Sequence, residues 1–472
     1  MTKHWKLIVA TVIPILIMLT PSSWMPIEIS LIEHRVLAIF VLACLYWVLE
    51  PIPVYATSLL VILLELVMIS DKSFILFQGD EGDASFGSVL HYSDIMATFS
   101  SPIILLFLGG FFLAIATSKY RLDINLARIL LKPFGTNPKY IMLGLMIITA
   151  VFSMFMSNTA TTAMMFAVLT PVLKSFDKGD PGRSAFILAI PFAANVGGIG
   201  TPIGTPPNAI GLKYLINDSS ISFGVWMAFA VPYVIVLMLF TWLLLVFLFP
   251  IKTKEIHIEL KGKFLTHWRA MTLYITFGCT VALWLSDAFH GMNSYIVAMI
   301  PVVVFSITQV ITVEDLKRIS WDVLWLVAGG IALGLGLEKS GLSRNLIQSI
   351  PFDALSPYMI VLLCTLATFL MANFMSHTAT ANLLMPIVAA LGTSLSSLQP
   401  LGGGPMLILA VTFAASLSMA LPISTPPNAI AYASGMVNTV EMRKAGIIIG
   451  LVGLLGVYLL LFVLKTIGFF QS

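Results

Sequence analysis

Apolar residues run almost unbroken through long stretches of this 472-residue chain, as in Leu60–Leu64 and Trp242–Phe249. In lipid, only helices and closed barrels satisfy every backbone polar group. Barrel strands alternate apolar and polar positions, and these runs do not. The pattern predicts an all-α polytopic membrane protein. At about 20 residues per crossing, spans are predicted near 7–22, 34–50, 54–70, 96–117, 186–215, 222–250, 268–288, 293–313, 321–338, 404–436 and 445–469. Two further apolar stretches, 139–175 and 357–392, are each interrupted midway by a polar tripeptide. They predict helical hairpins that enter and leave the membrane on one side.

Composition agrees: 58% of residues are hydrophobic and 10% charged, against about 25% charged in soluble domains. That excludes a soluble enzyme, a secreted disulfide scaffold, a disordered chain and a nucleic-acid binder. Cys44, Cys279 and Cys364 lie inside apolar runs and match no metal-binding spacing. The stretch from Lys3 and Lys6 through Leu19 looks like a signal peptide but lacks a small-residue cleavage site, so it is read as the first span.

Charge placement orients the spans. Basic residues gather at Lys119, Arg121, Arg128, Lys132 and Lys139, and again at Lys174, Lys178 and Arg183. Lys252, Lys254, Lys261, Lys263 and Arg269 form a third group, and Arg443 with Lys444 a fourth. The 71–94 loop is acidic, with Asp71, Asp80, Glu81, Asp83 and Asp94. Basic loops stay in the cytoplasm. Eleven spans and two re-entrant hairpins place every basic group there, with the N-terminus cytoplasmic and the C-terminus extracytoplasmic.

The chain also repeats itself. Leu106-Phe-Leu-Gly-Gly resembles Leu326-Val-Ala-Gly-Gly, and Ser157-Asn-Thr-Ala-Thr resembles Ser376-His-Thr-Ala-Thr. Thr205-Pro-Pro-Asn-Ala-Ile recurs identically from Thr425, and the three offsets are 220, 219 and 220 residues. Five predicted spans separate the hairpins, so the second enters from the opposite side. This is an inverted-topology repeat, the architecture of many secondary transporters.

Each half breaks its apolar run twice. Ser157, Asn158 and Thr159, with Ser376, His377 and Thr378 as counterparts, fall at the predicted hairpin tips. Their hydroxyl and amide groups suit helix capping and ligand contact. The Thr205-Pro206 and Thr425-Pro426 breaks each predict a new helix start with threonine as cap. Four half-helix N-termini would then converge, each with roughly half a positive charge and free N–H groups. No arginine or lysine occurs in the four motifs. The expected ligand is an anion held by helix ends and amides, with unwound carbonyls and hydroxyls available to Na⁺.

In these motifs the chain resembles the divalent anion/sodium symporter family, whose members carry di- and tricarboxylates and, in some branches, sulfate. The resemblance covers essentially the whole chain. It implies a homodimeric elevator carrier, with a scaffold at 1–138 and 252–356 and a transport domain at 139–251 and 357–472. Tyr120–Leu131 and Glu338–Ile350 would be interfacial arms joining the two. The implied substrate contacts are Ser157, Asn158, Thr159, Ser376, His377, Thr378, Thr205, Pro206, Thr425 and Pro426. The family's first sodium site maps onto Ser153, Ser157, Asn158 and Gly204.

The second half departs from the family pattern. His377 stands where asparagine is usual, Ala372 where the first half has Ser153, and Ser424 where it has Gly204. The second sodium site is therefore read as degraded. The expectation is a dicarboxylate exchanger for succinate, malate, fumarate or 2-oxoglutarate in the cytoplasmic membrane. Its partners would be the anion, membrane lipid and a second copy of the chain, with Na⁺ as the one candidate ion and no cofactor. Sodium-coupled symport with altered stoichiometry, and proton coupling through His377, are the alternatives. No HExxH, aspartate-rich or nucleophile–base motif suggests an enzyme, and no filter-like motif suggests a channel. Glu50 and Glu65 lie near predicted span ends, where snorkelling to the interface is expected.

Overall fold

A computed structural model describes residues 4–470, apart from 26, 80–84, 178, 216–220, 257–262, 350–351 and 353–354. Lys3, Asp80, Glu81, Asp83, Lys178, Lys261 and Ile350 of the sequence reading lie outside the described residues. Among the described residues there is no strand, only an isolated bridge between Ser70 and Leu90.

The first half runs α1 (His4–Leu19), α2 (Leu31–Leu49), α3 (Val54–Met68), α4 (Tyr92–Ala97), α5 (Pro102–Lys119) and α6 (Leu122–Leu131). It continues with α7 (Pro138–Phe155), α8 (Asn158–Leu173), α9 (Gly182–Gly198), α10 (Pro206–Lys213) and α11 (Phe223–Leu248). The second half runs α12 (Trp268–Leu285), α13 (Asp287–His290), α14 (Ser294–Ile307), α15 (Val313–Leu316), α16 (Trp321–Ser340) and α17 (Leu342–Ser349). It closes with α18 (Pro357–Phe374), α19 (His377–Ser394), α20 (Gly403–Ser416), α21 (Pro426–Ala433) and α22 (Thr439–Thr466). Seven helical segments among the described residues are long and apolar enough to cross a membrane, by length and composition alone.

The predicted 96–117 span is two helices, because a short turn at Thr98–Ser100 precedes Pro102, which takes the first helical position. The second arm is shorter than expected. Glu338 belongs to α16, which ends at Gly341 in the left-handed region (φ 90°), and α17 starts after it. Arg121, the counterpart of Gly341, takes the same left-handed turn before α6 (φ 57°).

The halves interlock reciprocally. α3 packs on α16 as α14 packs on α5, and α10 lies against α19 and α20 as α21 lies against α8 and α9. The repeated Gly-Gly pair explains the first exchange. A Cβ at Gly109 would lie 2.4 Å from the Ala298 carbonyl oxygen on α14, and one at Gly329 would lie 2.3 Å from Ser58 Cβ on α3. Only glycine lets these backbones approach so closely.

Contacts bring the two ends of each helix pair, α7–α8 and α18–α19, close together. Before the first hairpin, Thr136 accepts a hydrogen bond from Ile256 N (2.9 Å). After it, Asp180 accepts from the Lys252 and Thr253 amides (3.2 and 2.9 Å). Residues 252–256 thus touch the chain on both sides of α7–α8. Likewise Tyr358, opening α18, and Leu401, beyond α19, line one groove. Lys119 binds Asp315 (2.5 Å) at the end that holds the basic loops. At the other end, Asp71 N bonds the Leu90 carbonyl (2.8 Å) and Asn345 bonds Glu33 (2.5 Å).

Glu65 differs from expectation. It does not snorkel to an interface but is 1% exposed, packed between α3 and α16 where Gly336 leaves room for its carboxylate. Glu50 is exposed and ends α2 in the left-handed region (φ 47°).

Candidate functional site

The two hairpins turn in the same way. α7 ends at Phe155, Met156 is extended, and Ser157 caps α8 by accepting from Ala160 N (3.2 Å). α18 ends at Phe374, Met375 is extended, and Ser376 caps α19 by accepting from Ala379 N (3.2 Å). The serines are therefore spent on the backbone. Among the described residues, the Thr159 and Thr378 hydroxyls make no hydrogen bond to protein, and both side chains are at least partly exposed at the starts of α8 and α19. Their hydroxyls are free both to donate and to accept, whereas the capping serines, already accepting from the backbone, keep their O–H to donate. Ser376 also lines a cavity of about 380 Å³ with Glu50–Tyr55 of the α2–α3 turn.

At the breaks, Thr205 and Thr425 are both extended and precede prolines at the first turns of α10 and α21. Thr425 caps as expected, accepting from Asn428 N (3.2 Å). Thr205 does not: its side chain makes no cap hydrogen bond. The asparagine of each motif does work that its position in the sequence did not reveal. Asn208 donates to the carbonyls of Gly198, Ile199 and Thr201 (3.1, 3.1 and 2.8 Å), at and just beyond the end of α9. Asn428 does the same for Met419 and Leu421 (2.7 and 3.1 Å). These amides hold each break open, and their donors face the chain.

Each break lies beside the hairpin of the other half. α21 packs on α8 and α10 on α19. Asn195 of α9 ties the halves together, donating to Thr425 Oγ1 and Asn428 Oδ1 (both 3.2 Å). Its counterpart is Ala415, so no bond mirrors this one. A lone asparagine in an apolar run was the only sequence signal for it. No hydrogen bond among the described residues joins the Ser157–Thr159 and Ser376–Thr378 triplets.

Ser153, Asn158 and Gly204 do come together. Ser153 Oγ donates to the Ala194 carbonyl (2.8 Å) and meets the Asn158 amide at 2.5 Å. The same edge of that amide lies 3.0 Å from Gly204 O and 3.2 Å from Ala194 O. Turned one way, Asn158 donates Nδ2 to all three oxygens. Turned the other way, its Oδ1 completes a set of four facing oxygens with no proton between it and the two carbonyls. That set carries no positive side chain and has the donor chemistry of a hard-cation site. Gly198 and Gly204 make it compact, since a Cβ at Gly204 would lie 2.4 Å from Gly198 O. Ser157 stands apart from the set, with its hydroxyl capping α8.

The second half fills the corresponding space with side chains. His377, in place of Asn158, is buried, and its Nε2 bonds the Ser418 carbonyl. Against a carbonyl acceptor that nitrogen carries the proton. Ser418 stands for Gly198, and its hydroxyl donates to Phe369 O (2.7 Å). Ser424 stands for Gly204, donating to Asn373 O (3.0 Å) and accepting from Leu421 N (3.1 Å). Ala372 contributes only a buried methyl where Ser153 offers a hydroxyl. No group of three or more metal-ligating His, Cys, Asp or Glu side chains occurs among the described residues.

The comparisons with known proteins point one way. The model of the family described as "Sodium:sulfate symporter transmembrane region" matches residues 1–467. The sodium-dependent dicarboxylate transporter SdcS of Staphylococcus saprophyticus is 31% identical over 96% of this chain and 90% of its own length. SdcS of Staphylococcus aureus strain MRSA252 is 29% identical over the same shares. The inorganic phosphate transporter PHO87 of Saccharomyces cerevisiae is 30% identical over 85% of this chain and 43% of its own. Among solved structures, the Alcanivorax borkumensis YdaH transporter shares the fold, with a TM-score of 0.55 at 14% identity over 92% of this chain and 99% of that one.

Proposed function

Because the chain belongs to the sodium:sulfate symporter family, and is therefore a multi-pass membrane transporter and not an enzyme, we propose that it exchanges C4 and C5 dicarboxylates across the cytoplasmic membrane. The single observation that carries the exchange reading is the packed second site. A symporter of this build balances a dianion with bound cations. Here His377 presents an N–H to the Ser418 carbonyl, and Ser418 and Ser424 fill what Gly198 and Gly204 leave open in the first half. With one cation site closed, the return of the empty carrier is unfavourable and a second dicarboxylate must bring it back.

The substrate lies between the half-helix ends, with one carboxylate at the Thr159 side and the other at the Thr378 side. Ser157, Asn158, Ser376, His377 and the Thr205-Pro206 and Thr425-Pro426 breaks complete the surround. N–H groups and helix dipoles hold the charge. Succinate, malate, fumarate and 2-oxoglutarate are the substrates proposed, in keeping with the dicarboxylate named for the staphylococcal relatives. Residues 139–251 and 357–472 form the moving unit, which slides as an elevator against a dimeric scaffold of 1–138 and 252–356. The basic loop cluster faces the cytoplasm.

A second reading, sodium-coupled symport with fewer ions, is favoured by the oxygen set at Ser153, Asn158, Ala194 and Gly204. Competition in proteoliposomes tests the substrate class. Labelled succinate taken up by succinate-loaded vesicles should be displaced by malate, fumarate or 2-oxoglutarate. Displacement by phosphate or sulfate alone would refute it.

A further inference from the structure

Glu65 is the most isolated ionisable group of the described interior. Neither carboxylate oxygen has a hydrogen-bond partner, and Oε1 would lie 2.7 Å from a Cβ at Gly336. The charge that acts on it comes from α10, where Lys213 stands in the last turn. Lys213 Nζ donates to the Ile331 carbonyl of α16 (3.3 Å), lies over the Tyr214 ring (4.7 Å to its centre), and also feels Glu338 of α16. No ion pair within 4.0 Å joins Lys213 to either glutamate. Lys213 therefore reaches α16 at Ile331, and the Glu65 carboxylate lies against the same helix at Gly336, with no ion pair between the two.

The other ionisable groups on helices packed against α3 are accounted for. On α2, Glu33 is held by Ser30 N and Asn345, and Arg35 donates to the Met68 and Phe77 carbonyls. His34, also on α2, is buried with Nε2 unpartnered. Glu50 at the end of α2 and Asp94 on α4 are exposed. α16 adds Asp322 near its start and Glu338 and Lys339 near its end.

A buried carboxylate without hydrogen bonds keeps its charge only while a counter-charge stands near; otherwise it takes a proton. Acidic side chains placed this way inside membrane proteins mark ion or proton pathways. Glu65 sits on a helix of the proposed scaffold, and Lys213 sits on the half-helix of the proposed moving unit, immediately after the Thr205-Pro206 break. We propose that Glu65 is a proton-binding site of the carrier, whose carboxyl gives up its proton more readily while Lys213 stands near and holds it more tightly when α10 carries Lys213 away. This rests on the moving-unit assignment made above. The proton shuttles between water and the Glu65 carboxylate, and no other bond changes.

Infrared pH titration of the purified full-length protein between about pH 5 and pH 9 tests this directly. The wild type should show a pH-dependent carboxylic-acid carbonyl band that is lost in Glu65→Gln. In Lys213→Met the band should persist to more alkaline pH than in the wild type. Dicarboxylate exchange in proteoliposomes should respond to pH in the wild type and lose that response in Glu65→Gln. An unchanged band in Glu65→Gln would overturn the proposal, as would a Lys213→Met titration matching the wild type. If Glu65→Gln does not fold, the Lys213→Met titration decides alone. A carrier that exchanges dicarboxylate but lacks the Glu65 band defeats this inference only. A Glu65 band without dicarboxylate exchange defeats only the substrate reading.

Discussion

His377 bonds the carbonyl of Ser418 through Nε2, where Asn158, its counterpart 219 residues earlier, sets an amide against Ser153 and two backbone carbonyls. An amide can turn either its oxygen or its N–H toward a carbonyl. A protonated ring nitrogen offers only the donor. The two halves thus differ in whether a side-chain oxygen can be turned toward those carbonyls.

Restoring sodium dependence should take more than two substitutions. His377→Asn with Ala372→Ser returns the two side-chain oxygens, but Ser418 and Ser424 still occupy the space. The fourfold variant that adds Ser418→Gly and Ser424→Gly should transport faster with external Na⁺, while the double variant stays indifferent. Labelled uptake with Na⁺ or choline outside measures the difference.

Much of this was legible in the sequence, because three motifs repeated at offsets of 219 to 220 residues mark where the helices break. The hairpin caps at Ser157 and Ser376 followed from motif chemistry. What escaped was what depends on packing. In the sequence Asn208 and Asn428 are only members of the repeated Thr-Pro-Pro-Asn motif, yet they turn back onto carbonyls just upstream of them. The sequence aligns Ser418 with Gly198, but only the fold shows its carbonyl taking the His377 N–H and its hydroxyl turned to Phe369 O. Glu65 lies near a predicted span end, but depth along a helix does not say which face is buried. Lys213 passed unnoticed as one charge inside an apolar run.

The proposed substrate contact is tested at the Thr159 and Thr378 hydroxyls. Thr159→Ala and Thr378→Ala should each weaken dicarboxylate binding by about 1.5–3 kcal/mol, or roughly 10- to 150-fold, as expected when a hydrogen bond to a charged group is lost. Isothermal titration of the purified variants checks this, with thermal unfolding near that of the wild type showing that the fold is intact.

The helix crossings at the Gly-Gly pairs should be intolerant of size. Gly109→Val pushes into the Ala298 carbonyl and Gly329→Val into Ser58. Each should cost about 1–3 kcal/mol by overpacking, and the two losses should be similar because the crossings are mates. Thermal unfolding in detergent measures both.

Asp180 makes one part of the loop cluster around residues 252–253 sensitive to acid. Burial opposes its charge, but the Thr253 hydroxyl and the amides of Gly182, Lys252 and Thr253 outweigh that and hold the carboxyl below the usual range. Its folded-state affinity for protons is thus lower than in the unfolded chain. The stabilisation is present above the ordinary carboxylate range and is lost as pH falls through the depressed value. Asp180→Asn should be less stable than the wild type at neutral pH and lose less stability as the pH falls, as thermal melts across that range would show.

Obligatory exchange is tested most directly by labelled succinate uptake into proteoliposomes that are either empty or loaded with unlabelled succinate, each with and without an inward Na⁺ gradient. The account predicts uptake only into loaded vesicles, at the same rate with or without Na⁺. Strong Na⁺-driven uptake into empty vesicles would contradict it.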